Sequence, residues 1–461
     1  MICYIIILGV FIMKIDEKEL ISKYFDQALN ETKKVVSIPS FLTESTADAP
    51  YGKACKEVLD YVIDLANNLG FQTYKDKNNK YGFVDYGTGE KLFVILAHLD
   101  VVPPGNIEQW VTDPFTPIIK DNKLIGRGTF DDKGPAMMNL FALKYLKDHN
   151  YVSSKYKIRL IFGLTEETTW DSIKTYVNDH GVADLGYTPD GEFPVVYAEK
   201  WITNLDIISD EPTDIQISGG AAYNVICDTV SYKGPKIKEI QDYLIKNNIT
   251  TKIEDDKLIV QGKAGHGSLP WYGVNAATWL AKSMYENNVH HKITDYLATN
   301  VHLDFNLKNV FGDISDETGE LTQNVGLIEI KNKNSRIGLN FRIPVFTNPT
   351  QIFIPTLTKY LEKINLSLEV KKIDNSLYVH QESDLIKKIM RVYQEVTQDY
   401  KAKPIAIGGG TYAKAMPNVV AFGAEFDIEN STMHAYNEYV KIDDLKKMLE
   451  IYTKAIVLLT E

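Results

Sequence analysis

Short apolar runs that stop at an acidic residue, a histidine or a glycine turn recur through the first part of this chain. Phe93-Val94-Ile95-Leu96-Ala97 is continuous and apolar, and His98 follows it directly. A run of that length without alternation predicts a strand buried on both faces. Residues 156–162 predict a second buried strand through Ile158, Leu160, Ile161 and Phe162, closed by Glu166-Glu167. Apolar residues at helical spacing predict helices over 15–36, 52–70, 136–148 and 170–178. Residues 71–88 read as a hairpin, and Asp121-Asn122 reads as a turn. This strand–loop–helix rhythm predicts an α/β sheet domain with ligands outside the strand ends.

The texture changes after about residue 199. Residues 204–208, 213–217, 224–230 and 258–262 predict strands, and 237–247 and 273–286 predict helices. A strand pair over 321–331 and 336–343 precedes a helix over 352–364. Strands and helices mix here without acidic ends, which predicts a separate α+β domain. A helix over 383–397, a glycine turn entering a helix at Gly408-Gly409-Gly410-Thr411-Tyr412, a buried strand over 419–423 and a terminal helix over 443–458 return to the first texture. The expected organisation is therefore a first domain (1–200 and 378–461) interrupted by a second (201–377), as insertion at a surface loop permits.

Length agrees, since 461 residues exceed one ordinary core. A formal net charge of -11 with no basic stripe argues against a nucleic-acid partner. The three cysteines, Cys3, Cys55 and Cys227, are far apart and odd in number, so any metal must use nitrogen and oxygen ligands. Residues 1–12 (MICYIIILGVFI) are apolar, lack a basic flank and are too short to span a bilayer. The reading is an extension ahead of a natural start at Met13, with a packed strand as the alternative and no membrane partner.

The candidate chemistry sits where the apolar runs stop. His98 after a buried strand is either a packed core residue or a ligand. Asp100, two residues on, can accept from its second ring nitrogen and so favours the ligand. Asp131, between Gly128 and Gly134, is either a turn or cap residue or a carboxylate bridging two metals, in which case Asp132 is left to cap the helix. Glu166 and Glu167 are either solvated charge or a pair that divides labour, one anchoring metal and one moving a proton. Asp190 and His434 complete two sets of nitrogen and oxygen ligands.

Four longer runs carry a resemblance. They are Ala97-His98-Leu99-Asp100-Val101-Val102-Pro103, Gly126-Arg127-Gly128-Thr129-Phe130-Asp131-Asp132-Lys133-Gly134-Pro135, Gly163-Leu164-Thr165-Glu166-Glu167-Thr168, and Tyr187-Thr188-Pro189-Asp190-Gly191-Glu192-Phe193-Pro194. With them the chain resembles the metallopeptidase family of aminoacylase and the bacterial dipeptidases, nearest to its dipeptidase V branch of cytosolic Xaa-His, carnosinase-like enzymes. The resemblance implies a mixed-sheet zinc-peptidase catalytic domain with an inserted α+β lid, and a cytoplasmic dipeptidase. It implies two divalent metal ions, zinc first and manganese or cobalt as alternatives. Asp131 would bridge them, His98 and Asp190 would hold one, and Glu167 and His434 the other. Glu166 would be the general base, Asp100 would orient His98, and His266 of the lid would stabilise the oxyanion. Asn224, Arg342 and the Gly409, Gly410 and Thr411 loop would bind substrate, with Arg342 and the following helix start suited to a terminal carboxylate. Asp190 could also meet the substrate amine.

The sequence departs from the family pattern at Ala264-Gly265 before His266, at Gly191 after Asp190, and at Ala435-Tyr436 after His434. None removes a ligand. The expected substrate is a dipeptide with a free N-terminus, including Xaa-His and β-alanyl dipeptides, and the expected state is a monomer, with a dimer as the alternative. The rival readings are an N-acyl amino acid deacylase or desuccinylase of the same family, and a non-catalytic metal-dependent binding protein.

Overall fold

A computed structural model describes residues 4–7 and 10–461, and the chain divides into two compact units. The first comprises residues 1–197, 379–405 and 411–461, and the second residues 198–378 and 406–410.

The first unit is built on a mixed sheet. Its strands run, in order, Gln72–Lys75, Gly82–Tyr86, Tyr156–Gly163, Lys91–His98, Leu185–Thr188, Val419–Ala421 and Val196–Glu199. Lys91–His98 lies centrally and is parallel to both neighbours. Its apolar residues from Phe93 to Ala97 are fully buried, as a strand covered on both faces requires. His98 is in register with Gly163, so the two strands release their following loops side by side. Gly163 is needed there, because a Cβ would lie 2.4 Å from the Tyr412 ring. Leu185–Thr188 ends next in line, two residues before Asp190. The three loops that carry His98, Glu166-Glu167 and Asp190 thus leave the same end of the sheet.

Helices Lys53–Asn68, Lys133–Asp148, Asp171–His180, Asp384–Thr397 and Ile442–Thr460 belong to this unit. The Lys133–Asp148 helix is buried almost all round, packed against Asp26–Val36 and Ile442–Thr460. The predicted helix over 15–36 forms as one helical run with a π-helical segment at Leu20–Phe25. The N-terminal expectation changes: Tyr4–Ile7 pairs antiparallel with Val10–Met13, and Met13 is buried. Residues 1–3, 8 and 9 of that segment lie outside the described residues. No described helix is long and apolar enough to cross a membrane.

A small three-stranded sheet, Ile118–Lys120, Lys123–Ile125 and Tyr439–Lys441, matters more for the site than its size suggests. Tyr439 pairs with Ile125, which sets the loop before Tyr439 beside the loop after Ile125. Those loops carry His434 and Asp131.

The second unit is an eight-stranded, fully antiparallel sheet with its own apolar core. Trp201–Ser209 and Ser335–Ile343 pair without slippage from Trp201↔Ile343 to Ser209↔Ser335. Helices Ile237–Lys246, Ala276–Glu286 and Ile354–Lys363 form where helices are predicted. The predicted strand over 224–230 is different. Only Thr229–Lys233 is extended into the sheet, and Asn224 to Asp228 form an irregular segment. Backbone bonds from Ile226 to Gly265 and from Cys227 to Val325 hold that segment instead.

Candidate metal centre

Within the first unit His98, Asp100, Asp131, Glu166, Glu167, Asp190 and His434 converge. The His98 Nε2 atom is 2.9 Å from Asp131 Oδ1 and 3.7 Å from Asp190 Oδ2. The His434 Nε2 atom is 3.0 Å from Asp131 Oδ2 and 3.0 Å from Glu167 Oε1. The two oxygens of Asp131 therefore face two different imidazoles. Ligand atoms of His98, Asp131 and Glu167 lie within 4.8 Å of one another, as do those of His98, Glu166 and Asp190. Two overlapping nitrogen and oxygen clusters of this kind constitute a dinuclear site for divalent metal. The chemistry of the donors fits the group: each set offers one imidazole and two carboxylates without a thiolate, and His98 is common to both.

Asp100 does more than orient His98. Its backbone carbonyl accepts from His98 Nδ1 at 2.9 Å, while its carboxylate Oδ1 is 3.4 Å from the same nitrogen. The carboxylate is occupied elsewhere: Oδ1 accepts from the Glu166 N–H and Oδ2 from the Glu167 N–H, both at 3.1 Å. One buried aspartate thus fixes the imidazole and both glutamates. Tyr412 completes the support, its hydroxyl 2.8 Å from Ser172 Oγ and its ring edge-on to His98.

Asp132 departs from expectation. It sits at the N-cap of Lys133–Asp148 without capping it. Its Oδ2 accepts from the His98 backbone N–H at 3.1 Å, so the carboxyl ties the ligand loop to the strand end. The predicted helix after Gly410 is also absent; Tyr412–Ala415 is a single 3-10 turn whose start is capped by Thr411. A turn that short has no N-terminal dipole to offer an anion.

Burial and charge act together on the titrating groups. Burial pushes Glu166 well above the usual carboxylate range, and the neighbouring Asp190 adds to it. Burial, with Asp131 beside it, raises Glu167 to about 7. Burial would lower His434, but Asp131 and Glu167 outweigh it and raise the imidazole to about 11. The same contest raises His98 through Asp100 and Asp131. Asp131 goes the other way: the two imidazoles overcome its burial and hold it down.

Two residues that the sequence did not single out are Arg127 and Glu438, both almost fully buried. They form an ion pair at 2.6 Å between the Asp131 loop and the His434 loop. No local pattern around Glu438 announces this, because its partners lie more than 300 positions away.

The second unit gathers the other expected residues. His266 is exposed, forms a bridge with Val225 and shares a 2.6 Å hydrogen bond between Nδ1 and Ser268 Oγ. Asn224 accepts from the Gly267 N–H through its carbonyl at 2.7 Å. Asn324 fixes both sides of Asn224, donating to the carbonyls of Tyr223 and Val225. Arg342 donates from Nε to Asn340 Oδ1 at 2.9 Å and from Nη1 to the Gly408 carbonyl at 2.6 Å. It is 3% exposed and makes no ion pair among the described residues, and burial lowers its pKa to about 10. Gly408 packs against Ser268 and Arg342, so His266, Asn224, Arg342 and Gly408 share one locality of this unit. Gly409 and Gly410 follow Gly408 in this unit, whereas Thr411 belongs to the first.

Residues 94–457 match the model of peptidase family M20/M25/M40. A Staphylococcus epidermidis protein named "Putative dipeptidase" is 32% identical over 95% of this chain and 98% of its own length. Among solved structures, a Saccharomyces cerevisiae di-peptidase superposes with a TM-score of 0.59 at 12% identity, covering 96% of this chain and 98% of that one. Human carnosine dipeptidase 1 superposes with a TM-score of 0.58 at 13% identity, covering 96% and 99%.

Proposed function

This chain belongs to peptidase family M20/M25/M40, and from that premise we propose that it is a dipeptidase acting on dipeptides with a free N-terminus. Family membership and the dinuclear ligand cluster support metal-dependent peptide-bond hydrolysis. The observation that carries the reading is Asp131, with one oxygen toward His98 and the other toward His434.

In this proposal His98, Asp131 and Asp190 would hold one divalent cation, and Glu167, His434 and the shared Asp131 would hold the other, zinc being the first candidate. Bound cations there supply Lewis acidity for the peptide carbonyl and lower the pKa of water. Glu166 takes the proton from the attacking water and returns it to the leaving amine. Its burial raises its proton affinity, the direction a proton-accepting base needs. Asp100 sets the Glu166 backbone, so the base is aimed by a buried carboxylate. His266 donates to the developing oxyanion. Arg342 receives the substrate carboxylate; its guanidinium is buried, is held by the Gly408 carbonyl, and has Asp374 as an acidic charge acting on it. Asn224 adds a polar contact beside it, and Gly409, Gly410 and Thr411 border the same carboxylate.

A hydrolysis panel with zinc, manganese or cobalt tests this. Ordinary dipeptides, Xaa-His dipeptides and β-alanyl-histidine are expected to be cleaved, and tripeptides and N-acyl amino acids to be poor substrates. Preferred cleavage of N-acyl amino acids would reassign the chain as a deacylase. No hydrolysis with any of the three metals would leave a metal-dependent binding protein.

A further inference from the structure

The Glu438 carboxylate is 1% exposed and accepts four hydrogen bonds. Its Oε1 accepts backbone N–H groups from Gly128 at 2.9 Å, Phe130 at 3.1 Å and Asp131 at 3.4 Å. Its Oε2 accepts Arg127 Nη1 at 2.6 Å. Three amides converging on one oxygen bend the 128–131 loop around it, and Gly128, at a φ of 86°, supplies the turn that makes this possible. Arg127 then reaches the other way, donating from Nη2 to the carbonyl of His434 at 3.3 Å. The backbone pair from the Gly126 N–H to the Glu438 carbonyl, at 2.9 Å, closes the assembly. His434 itself has a φ of 60°, an uncommon conformation for a residue with a side chain, so its loop depends on such external ties.

We propose that Arg127 and Glu438 are positioning residues that set the spacing between Asp131 and His434, and so the affinity for the cation those two ligands share with Glu167. The inference rests on the dinuclear reading above. Glu438 never needs to touch the metal: it fixes the backbone of Asp131, while Arg127 fixes the backbone of His434. The other ligand set shares Asp131 but not His434, and its His98 is anchored without the pair, because Asp132 holds the His98 N–H and Asp100 holds its ring. Disturbing the pair therefore acts unequally on the two cations.

The test is zinc titration of the metal-stripped full-length protein against a fluorescent chelator, comparing wild type with Glu438→Gln and Arg127→Lys. Glu438→Gln keeps the shape and one acceptor oxygen but removes the charge facing Arg127. It is expected to weaken one of the two zinc equivalents about 10–100-fold, in the range that partners of metal ligands command, and to leave the other within about threefold. Arg127→Lys retains the charge while losing the second arm to His434, and is expected to fall between the two. Folding is checked by circular dichroism, and if Glu438→Gln fails to fold, Arg127→Lys decides alone. Folded variants that bind both equivalents with wild-type affinity, or that lose both equally, would overturn the proposal. A wild-type protein that binds fewer than two equivalents would sink the dinuclear reading instead, which keeps the two failures apart.

Discussion

Asp100→Asn isolates the carboxylate that fixes both glutamates. The wild-type side chain is 2% exposed and accepts two backbone N–H groups, one on each oxygen, at 3.1 Å. Asparagine keeps one acceptor and turns its NH2 toward the other amide, so a donor faces a donor. Leaving one buried N–H unsatisfied costs about 1–3 kcal/mol. The surviving bond also loses its charge-assisted character, worth about 1 kcal/mol more. The expected destabilisation is about 2–4 kcal/mol in all. The freed 166–167 backbone moves the base, and a displacement near 1 Å lowers turnover about 100-fold. Urea unfolding followed by tryptophan fluorescence reads the first number, and kcat at saturating zinc and dipeptide reads the second. A variant within about 0.5 kcal/mol of wild type, the range of an ordinary surface substitution, and with undiminished kcat would show that Asp100 does not aim the glutamates.

The remaining predictions address single roles. Glu166→Gln is expected to lower kcat about 10²–10⁴-fold while inductively coupled plasma analysis still finds the wild-type metal content; parallel loss of metal would make Glu166 a ligand instead. His266→Ala is expected to cost about 10²–10³ in kcat with unchanged metal content, and a pure KM effect would argue against an oxyanion role. His302 gives a pH prediction: burial, with Lys282 nearby, lowers it to about 4, and its Nδ1 is buried without a partner among the described residues. The unfolded chain takes up this proton near pH 6.5 and the folded one resists until about 4, so stability is lost as pH falls through that window. After discounting for partial exposure the loss is about 1–2 kcal/mol, and His302→Leu should flatten the thermal midpoint between pH 6.5 and 4.5; an unchanged slope would refute the assignment.

The sequence made the central strands legible because burial on both faces leaves no room for polar positions from Phe93 to Ala97. Of the expected ligands, His98, Glu167 and Asp190 stand at or just beyond such strand ends, whereas Asp131 and His434 lie in loops beside the small three-stranded sheet. Ser367–Asp374 was not legible as a strand: it lies at the edge of the second sheet, largely exposed, and SLEVKKID shows little apolar alternation. Thr250–Glu254 at the opposite edge is hidden for the same reason. The 224–228 segment misled the other way, its Ile226 and Cys227 being buried by neighbouring loops rather than by a ladder. At the metal centre, ligand types could be read locally, but their supports could not. Asp132 reaches back to a strand it precedes nowhere in sequence, and Glu438 answers amides from a distant loop.

The second unit begins and ends its long stretch in a paired ladder: Ala198 faces Tyr378 and Glu199 faces Leu377, antiparallel. Opposed residues in such a ladder lie about 5 Å apart. A stretch whose two ends are that close can be spliced into a host at a single point of the chain without pulling the host's strands apart. The same closeness allows the reverse operation, in which a short turn replaces the whole stretch. For a protein engineer the long stretch is a cassette with a ready-made socket, and chimaeras exchanging it between relatives need two junctions, with Ala406–Gly410 of the same unit left in the host.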